Sequence, residues 1–476
     1  MAEKGITVKK NENFSEWYTQ VIQKAELADY TGVSGCIVFR PYYYAVWEKI
    51  MDLVNARIKK YSVKNAYFPL FIPESLLIKE EEHVEGFAPE VAWVTHAGKT
   101  KLNEKLAIRP TSEAIMYDSF SKWIRSWRDL PLKINQWSNV VRWEFKHPVP
   151  FCCTREFLFN EGHTVFATEK ESLKEQDWVI EMYRYICEDY LGIYSMIGRK
   201  TEKEKFAGAV FSVSLEHFMP NGKAIQGPIF HHDGQKFAKA YDVTFLNKNE
   251  KKEYAWQNTW AISSRMLGVL IYSHGDDKGL VLPPKVAPNK CVLVPILIKG
   301  KEKNVLKKCK DLNRNLKKFD CIFDDSDYSA GWKFNQWEMK GVPVRIEVGP
   351  KDVEKKQVVL VRRDTGEKLF VKESEMVKKI EELLLDIQNN LYKRSKKMAL
   401  DNMVDVKDTK ELKKAIKDKK LAKAFWCGDQ GCEEMMKDQT GGAKILNMPL
   451  NQPKKFGKCV YCGKDGKHLA YIAKSY

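Results

Sequence analysis

Four cysteines late in the chain have the spacing of a metal site. Cys427-x4-Cys432 and Cys459-x2-Cys462 are two short pairs with 26 residues between them. Each short spacing lets two thiolates reach one ion, and four thiolates suit tetrahedral zinc. Gly428, Gly431, Gly457 and Gly463 flank the pairs, as expected of tight knuckles that need positive φ. A four-thiolate site has no open position, so it predicts a structural ion and no catalysis. The bland reading of the same residues is two unrelated pairs of buried or redox thiols.

A second set suits phosphate. Val141-Arg142-Trp143-Glu144 is followed ten residues later by Thr154-Arg155-Glu156-Phe157. That spacing predicts a strand, a loop and a returning strand with charged side chains over one sheet face. Ser263-Ser264-Arg265-Met266-Leu267-Gly268-Val269 puts another arginine in an expected helix. Arginine carries a permanent, forked cation that grips phosphate oxygens. Taken singly, Arg142 and Arg265 read as salt-bridge partners; the ordered blocks together point to anion chemistry.

The elements that must position these groups follow from periodicity. Residues 42–60 have apolar positions at helical spacing, and a short strand is expected at Ala66–Phe68, ending at Pro69. Residues 134–145 and 156–166 read as strands, 170–191 as a helix, 209–216, 223–230 and 240–246 as strands, and 258–272 as a helix. The run Leu282-Pro283-Pro284-Lys285-Val286-Ala287-Pro288 reads as a hinge, because proline stops helix and ladder alike. Beyond it, strands at 291–298, 342–348 and 357–363 alternate with a lysine-rich helix at 301–317 and a helix from Ser374, which implies an α/β domain.

Several longer stretches resemble one family. Pro69, the Arg142 strand with its loop, and the Arg265 helix look like motifs 1, 2 and 3 of class II aminoacyl-tRNA synthetases. Arg109-Pro110-Thr111-Ser112-Glu113, the run from Asn139 to Pro148, Thr154-Arg155-Glu156-Phe157-Leu158, Lys223-Ala224-Ile225-Gln226-Gly227, Gly331-Trp332-Lys333-Phe334-Asn335 and the run from Arg362 to Lys368 resemble prolyl-tRNA synthetases of the eukaryotic and archaeal type. The likeness runs from about residue 14 to Tyr476. It implies an α+β catalytic domain on an antiparallel sheet (residues 1–283), an α/β anticodon-binding domain (289–390) and a small α+β zinc-bearing domain (391–476). It also implies a homodimer through the Pro69 region. No large editing insertion fits between motifs 2 and 3.

By motif position, the resemblance gives Thr111 and Glu113 the prolyl amine and gives Arg142 the proline carboxylate and the α-phosphate. Glu144, Thr154, Gln226 and Ser263 would position ATP, and Arg265 would meet its terminal phosphates with Mg2+. Phe159, His163 and His231 would line the proline pocket. The implied reaction activates L-proline with ATP and transfers it to the terminal ribose of tRNA(Pro). Four positions depart from the family: Cys153 replaces an arginine, Ile229 replaces a hydroxyl residue, Ala261 replaces glycine, and Phe159 replaces tryptophan. A paralogue that binds RNA or activates an amino acid without charging tRNA is therefore the competing account.

Composition agrees with a polyanionic partner. The net charge is +17, and residues 391–476 hold 20 Lys/Arg against 10 Asp/Glu. A zinc-stapled RNA-binding protein without enzymatic activity would share that asymmetry but leave the phosphate-gripping arginines without a purpose. The odd count of 11 cysteines argues against a secreted disulfide framework. No apolar run approaches a membrane span and the first residues lack a secretory signal, so a cytoplasmic protein is expected.

Overall fold

The computed structural model describes residues 5–83 and 90–476. Its centre is an eleven-stranded sheet. In spatial order the strands are Met403–Asp405, Leu421–Trp426, His468–Ser475, Ala443–Pro449, Met196–Arg199, Phe211–Phe218, Lys223–Gly234, Trp256–Ser263, Glu156–Phe166, Leu132–Val141 and Lys64–Asn65. The six from Met196–Arg199 to Leu132–Val141 are antiparallel throughout, as expected of the catalytic part. Strands Leu132–Val141 and Glu156–Phe166 pair from Leu132↔Val165 to Val141↔Glu156.

One face of this sheet packs on helices Phe14–Lys24, Pro41–Ile58, Glu169–Tyr185 and Arg265–His274, around a core that includes Trp17, Trp47, Tyr183 and Trp260. Helix Pro41–Ile58 starts on a proline, whose missing N–H costs nothing at a first turn. Its Tyr43, Val46, Trp47, Ile50, Val54 and Ile58 form the buried stripe.

Several expected elements shift. The strand near Pro69 is Lys64–Asn65, not Ala66–Phe68. The Arg142 strand stops at Val141, because from Arg142 the backbone turns into the loop. Residues 258–263 are strand, not helix: Trp256–Ser263 lies between two sheet neighbours, and the buried polar Asn258, in line with Trp260 and Ile262, breaks the apolar alternation that marks a strand. The helix begins only at Arg265. Residues 240–241 end the short helix Lys236–Tyr241, and the strand expected there covers only Thr244–Leu246.

The second sheet orders Ile322–Phe323, Cys291–Pro295, Val344–Val348, Gln357–Arg362 and Lys368–Lys372, the first three parallel. Helices Glu302–Arg314 and Met376–Asp401 cover its core. Between the two sheets, Leu282, Pro283, Pro284, Val286 and Ala287 are buried, so the proline-rich segment is a packed strut and not a free hinge. Arg363 adds a bidentate bond to Asp276, at 2.6 and 2.7 Å, just past the end of the Arg265 helix.

The chain then returns to the large sheet. Helix Met376–Asp401 leads into four strands that extend it, and Lys474 and Ser475 pair in parallel with Lys223 and Ala224 of a catalytic strand. Tyr476 lies under the catalytic face: its ring is 5.6 Å from Tyr272, and Asn221 Nδ2 donates to its hydroxyl at 2.6 Å.

Candidate active site and metal centre

Above the antiparallel strands lies a cleft of about 1140 Å³. Thr111, Glu113, Arg142, Glu144, Phe159, His163, Gln226, His231, Ser263 and Arg265 all line it. These residues come from five separate segments of chain. Thr154 is buried beside Cys153 and lies off the lining.

Strand Glu156–Phe166 sends alternate side chains to one face, so Phe159, Glu161 and His163 reach the cleft together. Gly162 is required between them, since a Cβ there would sit 2.1 Å from the Trp260 ring. Glu161 was not among the sequence candidates. Its signal was available: two residues from both Phe159 and His163 on a strand means the same face.

The floor of the cleft is acidic and buried. Thr111 donates its hydroxyl to the Glu113 carboxylate. Ser112 donates its backbone N–H (3.1 Å) and its hydroxyl to Glu161, which also accepts from Gln136 Nε2 at 3.2 Å. Burial, helped by the charge of Glu161, pushes the Glu113 carboxyl up to about 7, against the pull of Thr111 and Arg142. Burial also raises Glu161, opposed by its bonds to Ser112 and Gln136. Asp233, wholly buried, lies well above the usual carboxylate range for the same reason, with Glu113 adding to it. Desolvated acids beside a cavity favour a cationic guest.

The two histidines of the cleft are neutral. Burial pushes His163 and His231 down to about 3, and the charges of Arg142 and Lys200 add to the effect on His231. His163 Nδ1 lies 3.2 Å from the Tyr117 hydroxyl, and His231 Nδ1 lies 2.6 Å from Ser212 Oγ.

The two arginines are held by backbone. Arg142 Nε donates to the Pro110 carbonyl at 2.9 Å, and Arg265 Nε donates to the Cys152 carbonyl at 2.9 Å. Among the described residues neither forms a salt bridge, so both cations remain available to an anion in the cleft. Of the departures, Ile229 and Ala261 face each other across paired strands and line the cleft with Phe159. Cys153 is buried beneath it, and Arg265 and Lys223 are the cations that act on its thiol.

The four cysteines converge, with every Sγ within 4.8 Å of the others. Tetrahedral zinc with Zn–S bonds of about 2.3 Å sets sulfurs about 3.8 Å apart. Cys427 Sγ lies 3.7 Å from Cys432 Sγ and 3.8 Å from Cys462 Sγ, so the donor set fits that ion. Gly428 and Gly463 have the expected positive φ, at 88° and 70°. Gly431 and Gly457 do not; Gly457 is needed for space, since a Cβ there would meet the Phe425 ring at 2.7 Å.

Cationic arginines over an antiparallel sheet, with motif 3 opening a helix at Arg265, define a class II aminoacyl-tRNA synthetase. Residues 94–274 match the family described as tRNA synthetase class II core domain (G, H, P, S and T), and residues 290–383 match an anticodon binding domain. Residues 409–476 match the family described as prolyl-tRNA synthetase, C-terminal. The proline-tRNA ligase of Natranaerobius thermophilus is 48% identical, over 98% of this chain and 97% of its own. Proline-tRNA ligase 2 of Bacillus thuringiensis is 47% identical, over 98% of both chains. The crystal structure of prolyl-tRNA synthetase from Cryptosporidium parvum, complexed with halofuginone and AMPPNP, superposes with a TM-score of 0.95 at 45% identity, covering 99% of this chain and 100% of that one. The chain belongs to the prolyl-tRNA synthetase family.

Proposed function

We propose that this chain is a proline-tRNA ligase that makes prolyl-adenylate from L-proline and ATP in the cleft and transfers the prolyl group to tRNA(Pro). The observation that carries this reading is the pair of unneutralised arginines, each fixed by a backbone carbonyl, facing an acidic floor. The prolyl ammonium sits on Thr111, Glu113 and Glu161, with its ring among Phe159, His163, His231 and Phe206. The proline carboxylate attacks the α-phosphorus in line, and pyrophosphate leaves. Arg142 spans the carboxylate and the α-phosphate, while Arg265 holds the terminal phosphates, which bring Mg2+ as their counter-ion. Glu144, Gln226 and Ser263 orient the nucleotide; Thr154 supports that wall from beneath. The terminal ribose hydroxyl of the tRNA then attacks the adenylate carbonyl and AMP departs. No side chain acts as a covalent nucleophile; positioning and charge neutralisation carry the rate.

The architecture is read as that of the eukaryotic and archaeal type. Support comes from residues 167–255, which are occupied by sheet strands and their connections and leave no editing insertion. We divide the chain at 1–283, 289–390 and 391–476, with tRNA(Pro) engaging the second part through its anticodon and the cleft of the first through its acceptor end. The four cysteines hold a structural zinc. Exposed Tyr67, Phe71, Trp93 and Trp123 around Pro69 support a homodimer through that region. No described helix is long and apolar enough to cross a membrane, and the reaction belongs in the cytoplasm.

Proline-dependent exchange of labelled pyrophosphate into ATP, with alanine and cysteine as competitors, tests this function. Robust exchange with proline is expected. None from folded, zinc-loaded protein would transfer support to the paralogue, a reading favoured by Cys153, Ile229 and Ala261.

A further inference from the structure

Residues 202–207 form one wall of the cleft. Its fastenings come from the cysteine-bearing region, more than 200 residues away. Thr201 Oγ1 donates to Glu433 Oε1 at 2.9 Å, and both residues are buried. Lys203 pairs with Glu434 at 3.0 Å, and Lys444 pairs with Glu204 at 2.6 Å. Gln430 and Glu434 line the cleft themselves. The exposed Lys203–Glu434 pair contributes little; of the two remaining links the Thr201–Glu433 bond is the more deeply buried, Lys444 and Glu204 being 29% and 17% exposed.

On one side this bond leads to the cysteines. Glu433 follows Cys432 in the first turn of helix Gln430–Gln439, where the Asp429 side chain caps the Cys432 N–H at 2.9 Å. On the other side it leads into the proline pocket. Thr201 Oγ1 also accepts from Glu204 N at 3.2 Å, and Lys205 N donates to the Thr201 carbonyl at 2.9 Å, which closes the turn. At the next residue, Phe206 N donates to Ser212 Oγ at 3.2 Å, and the Phe206 ring lies 5.0 Å from His231. The same Ser212 hydroxyl meets His231 Nδ1 at 2.6 Å.

We infer that the four-cysteine site is a positioning device for the catalytic pocket. It fixes the first turn of helix Gln430–Gln439, and Glu433 and Thr201 transmit that placement to the wall that sets Phe206 against His231. Glu433 and Thr201 are positioning residues, acting through the wall and not on substrate. The inference rests on the cleft being the proline and ATP site.

Thr201→Val removes the hydroxyl and keeps the shape; Thr201→Ser restores it, and Glu433→Gln keeps an acceptor. Hydrogen exchange of backbone amides, bound zinc and steady-state kinetics are measured on the full chain. Thr201→Val is expected to retain its zinc, to exchange faster over residues 200–209 but not over Val344–Val348, and to raise KM for proline about tenfold with kcat little changed. Thr201→Ser and Glu433→Gln should behave like the parent. Chelating the metal from the parent should loosen residues 200–209 in the same way. Parent-like exchange over 200–209 in Thr201→Val, or unaltered protection there after chelation, overturns the coupling. If Thr201→Val does not fold, Glu433→Leu breaks the same bond from its other end and is judged by the same two measurements. Exchange is read without turnover, so a parent with no proline activity would count against the function and leave this test standing.

Discussion

The cysteine knuckle and the catalytic cleft lie on one sheet yet are built on opposite rules. In the knuckle, polar groups are matched locally: four sulfurs gather from 36 residues of chain, at separations an ion sets. In the cleft, five distant segments converge, and Arg142 and Arg265 are left without a salt-bridge partner, both held by backbone carbonyls, while burial pushes Glu113 toward its neutral form. A structural site completes itself, whereas a catalytic site keeps valences open for its substrate.

The sharpest way to break this contrast is to remove the ion. Cys459→Ser, or chelation, should expose residues 409–476 to protease while the sheet of residues 290–383 stays protected; full resistance of the metal-free chain would end the structural reading of the knuckle. Next in size, Arg142→Ala should slow proline-dependent pyrophosphate exchange about a hundred- to a thousandfold without lowering the melting temperature. Near-normal exchange would show that the unpaired cation is ornamental.

The pH dependence follows from the floor. A prolyl ammonium needs an ionised partner, but Glu113 is held protonated below about 7. As pH falls through 7, kcat/KM for proline should therefore drop about tenfold per unit, and it should level off above that point. Glu113→Gln should abolish the slope together with most of the activity. The smallest effect concerns a departure: Ile229→Thr, which restores a hydroxyl, should change KM for ATP about two- to tenfold. No change would mean that the side chain at 229 does not meet the nucleotide.

The difference between the two sites also explains what could be read in advance. The knuckle was visible as spacing alone, because its ligands are close in sequence. Arg142, Glu113 and Arg265 were visible as short contiguous motifs. Glu161 was missed despite the strand period, because a carboxylate between an aromatic and a histidine has no motif of its own. Phe206 and the wall around it had no local signal, since their geometry depends on Glu433 and Lys444 from a remote segment. Strand Trp256–Ser263 is hard to recognise for a related reason: Asn258 stands in line with Trp260 and Ile262, held by Ser172 and Glu175 of a remote helix, and breaks the apolar alternation of a strand.

The placement of strand His468–Ser475 has a consequence for biosynthesis. It is inserted between Leu421–Trp426 and Ala443–Pro449, inside the sheet, although it is made after both. During translation those two strands must wait side by side with open edges until residues 468–475 leave the ribosome. A chain halted before residue 468 would keep two unpaired edges, the feature that recruits other strands. Messages cut before codon 468 should therefore yield aggregating products, cleared by proteolysis.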